Sequence, residues 1–147
     1  MGRTMALDVG NRRIGVAVTD PLGLFARPLT TVVRRGQATD LAAVAALTRA
    51  WAIDRLVVGL PLLPSGDRGE QAVLVMAFVD ALAPTVDVPV DLWDESYTTV
   101  TATERLRSYG ADVRRQPAAI DAAAAAVILE EWLNAQGGVT LPPPEAP

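Results

Sequence analysis

Short apolar runs that stop at polar turns alternate along this chain with segments whose apolar residues recur every three or four positions. Residues 3–9 (RTMALDV) are mostly apolar and stop at Gly10. After the polar turn 11–13 comes a second run, 14–19 (IGVAVT), and the two predict a hairpin. A turn at 21–23 leads to a third strand over 29–33 (LTTVV). Helical spacing then takes over: Leu41, Val44, Leu47 and Trp51 predict a helix from Thr39, its cap, to Ala52. Residues 55–58 read as a short buried strand that ends at Gly59-Leu60-Pro61. Residues 69–82 follow as a helix with Val73, Met76, Val79 and Ala83 on one face, and 88–93 as the last strand. Thr101 and Glu104 have capping-box spacing for a helix that stops at Gly110. Pro117 suits the first position of a final helix over 118–135.

Three strands in succession, then helices alternating with two more strands, predict an α/β domain: a mixed sheet flanked by helices. The ribonuclease H-like three-layer fold has this order, and the pattern alone does not separate it from other three-layer folds. The domain is expected to span 1–137, with no linker or internal repeat. The Pro-rich remainder, 138–147, reads as a disordered tail.

Composition narrows the chemistry. The 147 residues are half hydrophobic and carry a formal charge of −4. They include no His, no Cys and no Lys, so all thirteen basic residues are Arg. Catalytic triads built on His or Cys, Cys/His zinc sites, disulfides, Schiff bases and the P-loop lysine are all excluded. What remains is carboxylates, hydroxyls and guanidinium groups, and hard oxygen donors suit Mg²⁺ or Mn²⁺. No run approaches the roughly 20 apolar residues of a membrane span, and the N-terminus lacks a signal-peptide core. A soluble, cytoplasmic protein is expected.

Three acidic residues stand where burial disfavours them. Asp8 lies inside the first strand, Glu95 closes the last, and Asp121 precedes five successive alanines in the final helix. If the first and last strands are neighbours, carboxylates from both converge, and the alanines let the helix come close enough to add a third. Such a cluster repels itself unless divalent cations neutralise it, and a pair of cations about 3.5–4 Å apart is a clamp for phosphodiester hydrolysis. Each residue taken singly has a plainer role. Asp8 can cap a turn, Asp121 can favour a helix N-terminus, and Glu95 can pair with Arg105 or Arg107. Asp94 and Glu95 point to opposite strand faces, and periodicity does not choose between them.

Four motifs occur in register: Asp8-Val9-Gly10 through Ile14-Gly15-Val16-Ala17, Val57-Val58-Gly59-Leu60-Pro61, Asp94-Glu95-Ser96-Tyr97-Thr98-Thr99, and Ile120-Asp121-Ala122-Ala123-Ala124-Ala125. Together they resemble the YqgF/RuvX family of ribonuclease H-like nucleases, and the likeness runs nearly to Leu133. The resemblance implies a mixed five-stranded sheet and an Asp-Glu-Asp site, with Asp8, Glu95 and Asp121 as catalytic residues and as ligands of Mg²⁺ or Mn²⁺. It selects Glu95 over Asp94. It also implies either 5′-end maturation of 16S ribosomal RNA or resolution of four-way DNA junctions. Ser96 stands where family members usually carry Arg, and residues 62–66 and 114–117 also depart from the usual pattern.

A charge of −4 is unusual for a nucleic-acid binder, but the arginines come in pairs. Arg12-Arg13 and Arg114-Arg115 flank two of the carboxylates in sequence and are expected to contact phosphate, with Thr98 and Thr99 adding hydroxyls. Arg34-Arg35 reads as solvated surface. Tyr97 can stack a base or belong to the core. Trp132 and Phe78 can serve a homodimer face or the core, and paired junction cuts favour a two-fold dimer. Two other classes compete with a nuclease acting on precursor rRNA or branched DNA: a phosphotransferase using the Asp8–Gly15 loop, and a non-catalytic RNA-binding factor of ribosome biogenesis.

Overall fold

The computed structural model describes residues 2–63, 65–95 and 117–136. Five strands form one sheet: β1 (Arg3–Val9), β2 (Arg13–Thr19), β3 (Ala26–Val33), β4 (Ile53–Pro61) and β5 (Val90–Glu95), in the order β3-β2-β1-β4-β5. The pairs β1–β2 and β2–β3 are antiparallel, whereas β1–β4 and β4–β5 are parallel. Helices α1 (Gln37–Ala50) and α2 (Glu70–Leu82) supply the crossovers that parallel pairing requires. Helix α3 (Pro117–Ala135) packs against β1, β2 and β3. This is the expected mixed, five-stranded, ribonuclease H-like sheet. The expected helix at 101–110 and the tail at 138–147 lie outside the described residues.

Alternation along the strands sorts the core into two layers. Met5, Leu7 and Val9 of β1, with Ile14, Val16 and Val18 of β2 and Leu56, Val58 and Leu60 of β4, pack with Val44 of α1 and Val75 and Phe78 of α2. On the opposite face Ala6, Ala17 and Val57 meet Ala125, Ile128, Leu129 and Trp132 of α3. Small residues on that face let α3 lie close to the strands. Gly59 shows how close, because a Cβ there would overlap the Ile128 side chain.

Several boundaries differ from expectation for identifiable reasons. Strand β3 begins at Ala26 and includes Pro28, which an edge strand beside a register shift tolerates. Strand β4 runs through Gly59 to Pro61 because β5 pairs with it along that stretch. Helix α1 starts at Gln37 with Gly36, at φ 140°, as its cap, so Thr39 lies inside it. On α2 the buried residues are Ala72, Val75, Phe78 and Leu82, while Val73 is 62% exposed; the inward stripe sits one position away from the expected one. Phe78 and Trp132 are both buried, which removes them as candidates for a dimer face.

Candidate active site

The site forms at the edge of the sheet where the parallel strands β1, β4 and β5 end. Asp8, the penultimate residue of β1, pairs across the antiparallel ladder with Gly15 of β2. Gly15 has no side chain on the α3 face, and the α3 backbone fills the space: a Cβ there would overlap the carbonyl oxygen and carbon of Asp121. A glycine inside a strand is therefore the seat on which α3 rests. Ala122 to Ala126 are all buried, so the helix lies close to the sheet along residues 122–126. Asp121 is thereby held next to Asp8. The two residues are 113 positions apart in the chain and meet because Gly15 and the alanines leave no bulk between strand and helix.

The electrostatics follow from this approach. Burial, reinforced by the negative charge of Asp121, pushes the Asp8 carboxyl up to about 6. Among the described residues no arginine forms an ion pair with Asp8. Asp121 does have a partner: Arg13 Nε donates to its Oδ2 at 2.5 Å, with both side chains partly exposed. Arg13 shares the strand face of Gly15 by alternation, so the β1–β2 hairpin brings a cation to the carboxylate pair. The plainer role for Asp8 does not hold at Gly10, whose N–H donates to the Arg13 carbonyl at 2.9 Å. Asp121 is the fifth residue of α3, beyond the first turn where a carboxylate serves the helix terminus.

Glu95 is the last residue of β5, with its backbone paired to Pro61; its side chain lies outside the described residues. Position 95 alternates with position 93, where Trp93 packs against the α3 layer and donates Nε1–H to Glu131 Oε1 at 3.2 Å. Asp94 is exposed and belongs to the other alternation, with Oδ1 at 4.0 Å from Arg68 Nη2. Two of the three expected carboxylates, Asp8 and Asp121, are therefore brought together. Among the described residues no group of three acidic side chains is gathered.

The expected phosphate contacts divide similarly. Arg12 is exposed at the hairpin turn and Arg13 is engaged with Asp121. Thr98, Thr99, Arg114 and Arg115, with Ser96 and Tyr97, lie outside the described residues. Arg34 corrects the expectation of a solvated surface residue. Its Nε donates to the buried Asp40 at 3.1 Å, its Nη1 to the Gly10 carbonyl at 3.0 Å, and its guanidinium lies 5.1 Å from the Phe78 ring centroid. It ties the site hairpin to α1 and α2. The sequence signal for this role was weak, because an Arg-Arg pair after a strand resembles any surface pair.

The donors at Asp8 and Asp121 fit a hard divalent cation. Both are carboxylate oxygens, one is raised by burial and by a neighbouring like charge, and together they carry more negative charge than Arg13 offsets.

A family model described as "RuvX: Holliday junction resolvase" matches residues 2–135. A protein of Anaeromyxobacter dehalogenans named "Putative pre-16S rRNA nuclease" is 47% identical over 132 residues, covering 90% of this chain and 96% of its own. A Roseiflexus protein of the same name is 45% identical over 135 residues, covering 92% and 96%. Among solved structures, Thermus thermophilus RuvC in complex with a Holliday junction substrate matches with a TM-score of 0.60 at 17% identity, covering 95% of this chain and 98% of that one. The fowlpox virus resolvase in complex with Holliday junction DNA matches with a TM-score of 0.56 at 10% identity, covering 91% and 98%. At these identities the structural likeness concerns the fold.

Proposed function

The chain belongs to the RuvX family, described as Holliday junction resolvases, and from that membership we propose a divalent-cation-dependent endonuclease that hydrolyses phosphodiester bonds in structured nucleic acid. The observation that carries this reading is the meeting of Asp8 and Asp121 over Gly15. Processing of the 5′ end of precursor 16S rRNA is the first assignment of substrate, supported by relatives that cover nearly the whole chain and carry that name. Resolution of four-way DNA junctions is the second, supported by the description of the family.

Asp8, Glu95 and Asp121 are the residues that would hold Mg²⁺ or Mn²⁺. A pair of such ions, when bound, supplies Lewis acidity toward the attacking water and the leaving 3′ oxygen. The chain's own groups do the rest. Asp8, raised to about 6, is ionised at neutral pH and ready to act as a ligand. Arg13 holds Asp121 in place and reaches the same edge as the substrate. Arg12 offers a second guanidinium to phosphate from the hairpin turn, and Thr98, Thr99, Arg114 and Arg115 complete the proposed contacts. With no His in the chain, the carboxylates and the arginines are the groups that orient the reaction.

Residues 1–137 form the nuclease domain in this reading, and a cytoplasmic location suits both substrates. Among the described residues no helix is long and apolar enough to cross a membrane. A homodimer fits the junction reading, since two-fold symmetry pairs two cuts.

The test is a cleavage assay with a four-way junction, precursor rRNA and single strands, in Mg²⁺ or Mn²⁺, with Asp8→Asn and Asp121→Asn as controls. Cleavage of the precursor that both substitutions abolish supports the first assignment. Preferential junction cleavage supports the second. Wild-type rates from folded Asp8→Asn protein would overturn the nuclease site.

A further inference from the structure

On the other side of the sheet from α3, directly behind the site, a cavity of about 190 Å³ opens between the β1–β2 turn, the start of α1 and the exposed flank of α2. Its walls include Asn11 beside the turn, Gln37 at the first position of α1, Gln71 and the half-exposed Leu74 on α2, and Arg34 over the Phe78 ring. Among the described residues no acidic side chain lines it, in a chain with seventeen acidic residues and an excess of four negative charges.

We propose that this cavity receives an unpaired nucleobase of the substrate strand, close to the scissile phosphate at the carboxylate site. Three features select that ligand. The first is size: pockets for drug-sized molecules begin near 300 Å³, so a cavity of about 190 Å³ takes a single planar ring system and leaves the sugar and phosphate outside. The second is chemistry. Asn and Gln amides each present a donor and an acceptor, which is the pairing that base edges require, and the exposed Leu74 side chain beside the Arg34 guanidinium plane suits a ring face. Among the described lining residues an anionic ligand has only Arg34 to meet, and Arg34 is already committed to Asp40 and to the Gly10 carbonyl.

The third feature is position. Val9, whose carbonyl accepts from Gln71 Nε2 at 3.2 Å on the cavity side, is the residue after Asp8. The cavity wall therefore begins at the residue after Asp8, on the opposite face of the sheet from the carboxylate pair, and the β1–β2 turn is the edge over which a strand would pass from one to the other. Arg12 lies between Asn11 and Arg13, so a backbone crossing the turn passes a guanidinium on its way from one to the other.

The inference rests on the nuclease reading and gives it a source of sequence or structure preference. Its test uses a fluorescent base analogue, 2-aminopurine, placed singly at each nucleotide around the cut in the four-way junction and in precursor rRNA, with Asp121→Asn protein to prevent cleavage. Insertion of the base changes its emission at one position next to the cut, and Gln37→Ala combined with Leu74→Ala removes that change while the fold, checked by melting, is retained. With active protein, an abasic residue at that position weakens cleavage about tenfold, the loss expected for one stacked base. Uniform emission at every position, or equal cleavage with and without the base, overturns the cavity assignment while the nuclease stands. Failure to cleave any nucleic acid overturns the nuclease reading itself.

Discussion

Arg13 and Asp121, 108 positions apart in the chain, are joined by a hydrogen-bonded ion pair at the edge of the sheet. The pair occupies one carboxylate oxygen of a residue proposed to bind a divalent cation, so the guanidinium and the cation compete for Asp121. Arg13→Gln removes the competitor. We expect Mn²⁺ to raise the melting temperature of this variant at about two- to fivefold lower concentration than for the parent, the range of a partly exposed pair. Nucleic-acid binding moves the other way, weakening with a salt dependence reduced by about one phosphate contact. Unchanged Mn²⁺ titrations would show that Arg13 does not guard the site.

Gly15 is the second pressure point. Alanine there places a methyl group on the Asp121 backbone, and neither strand nor helix has slack to receive it. Overpacking of this kind costs about 1–3 kcal/mol. Gly15→Ala should melt earlier and lose cleavage together, since α3 must lift and carry Asp121 away from Asp8. A stable Gly15→Ala protein with parental activity would contradict the seat assigned to Gly15.

The Asp8 carboxyl, raised to about 6 from an ordinary value of 3.8, sets a pH dependence whose sign can be worked out. Below about 4 the group is protonated folded and unfolded alike and contributes nothing. Between about 4 and 6 the unfolded chain ionises while the folded chain holds its proton, so stability falls as pH rises. Above 6 the penalty is complete. Asp8→Asn should therefore melt at higher temperature than the parent in chelator at pH 8, with the gain shrinking to nothing near pH 4. Added Mn²⁺ reverses the order, because only the parent keeps the ligand. Melting curves across this range, with and without Mn²⁺, check both halves.

What was legible in the sequence depended on how local its cause was. The apolar runs in 3–9 and 14–19 report burial directly, and both strands form there, buried along most of their length. The α2 stripe was less legible: Val73 and Val79 look as apolar as Val75 and Phe78, yet the side of α2 that meets the sheet carries Ala72, Val75, Phe78 and Leu82 and leaves Val73 in solvent. Asp8 and Asp121 could be suspected singly, because a carboxylate among apolar neighbours is costly. Their meeting depends on Gly15, whose missing side chain matters only once α3 is in place. The role of Arg34 is hidden in the sequence because its partner, Asp40, is a polar residue that only the fold buries.

That last pair gives a prediction at a distance from the carboxylates. Asp40 is 1% exposed, and its carboxylate accepts the Arg35 N–H at 2.9 Å and the Arg34 guanidinium at 3.1 Å. Burial opposes its ionisation, but these hydrogen bonds and the Arg34 charge prevail and hold the carboxyl below the usual range. The contribution to stability is present above the unfolded value near 4 and is lost as pH falls through the lower folded value. Arg34→Ala leaves the carboxylate buried with the Arg35 N–H but without its cation, at a cost of about 3 kcal/mol near neutral pH. Asp40→Ala removes the charge itself and should cost less. The difference between the two variants narrows in acid, where Asp40 takes up a proton. Arg34 also donates to the Gly10 carbonyl, so Arg34→Ala should loosen the turn that presents Arg12 and Arg13, and cleavage should fall more than in Asp40→Ala at matched stability. Denaturant unfolding at neutral and acid pH, run beside the cleavage assay, separates these contributions. Equal loss of activity in both variants would mean that Arg34 acts on the fold alone.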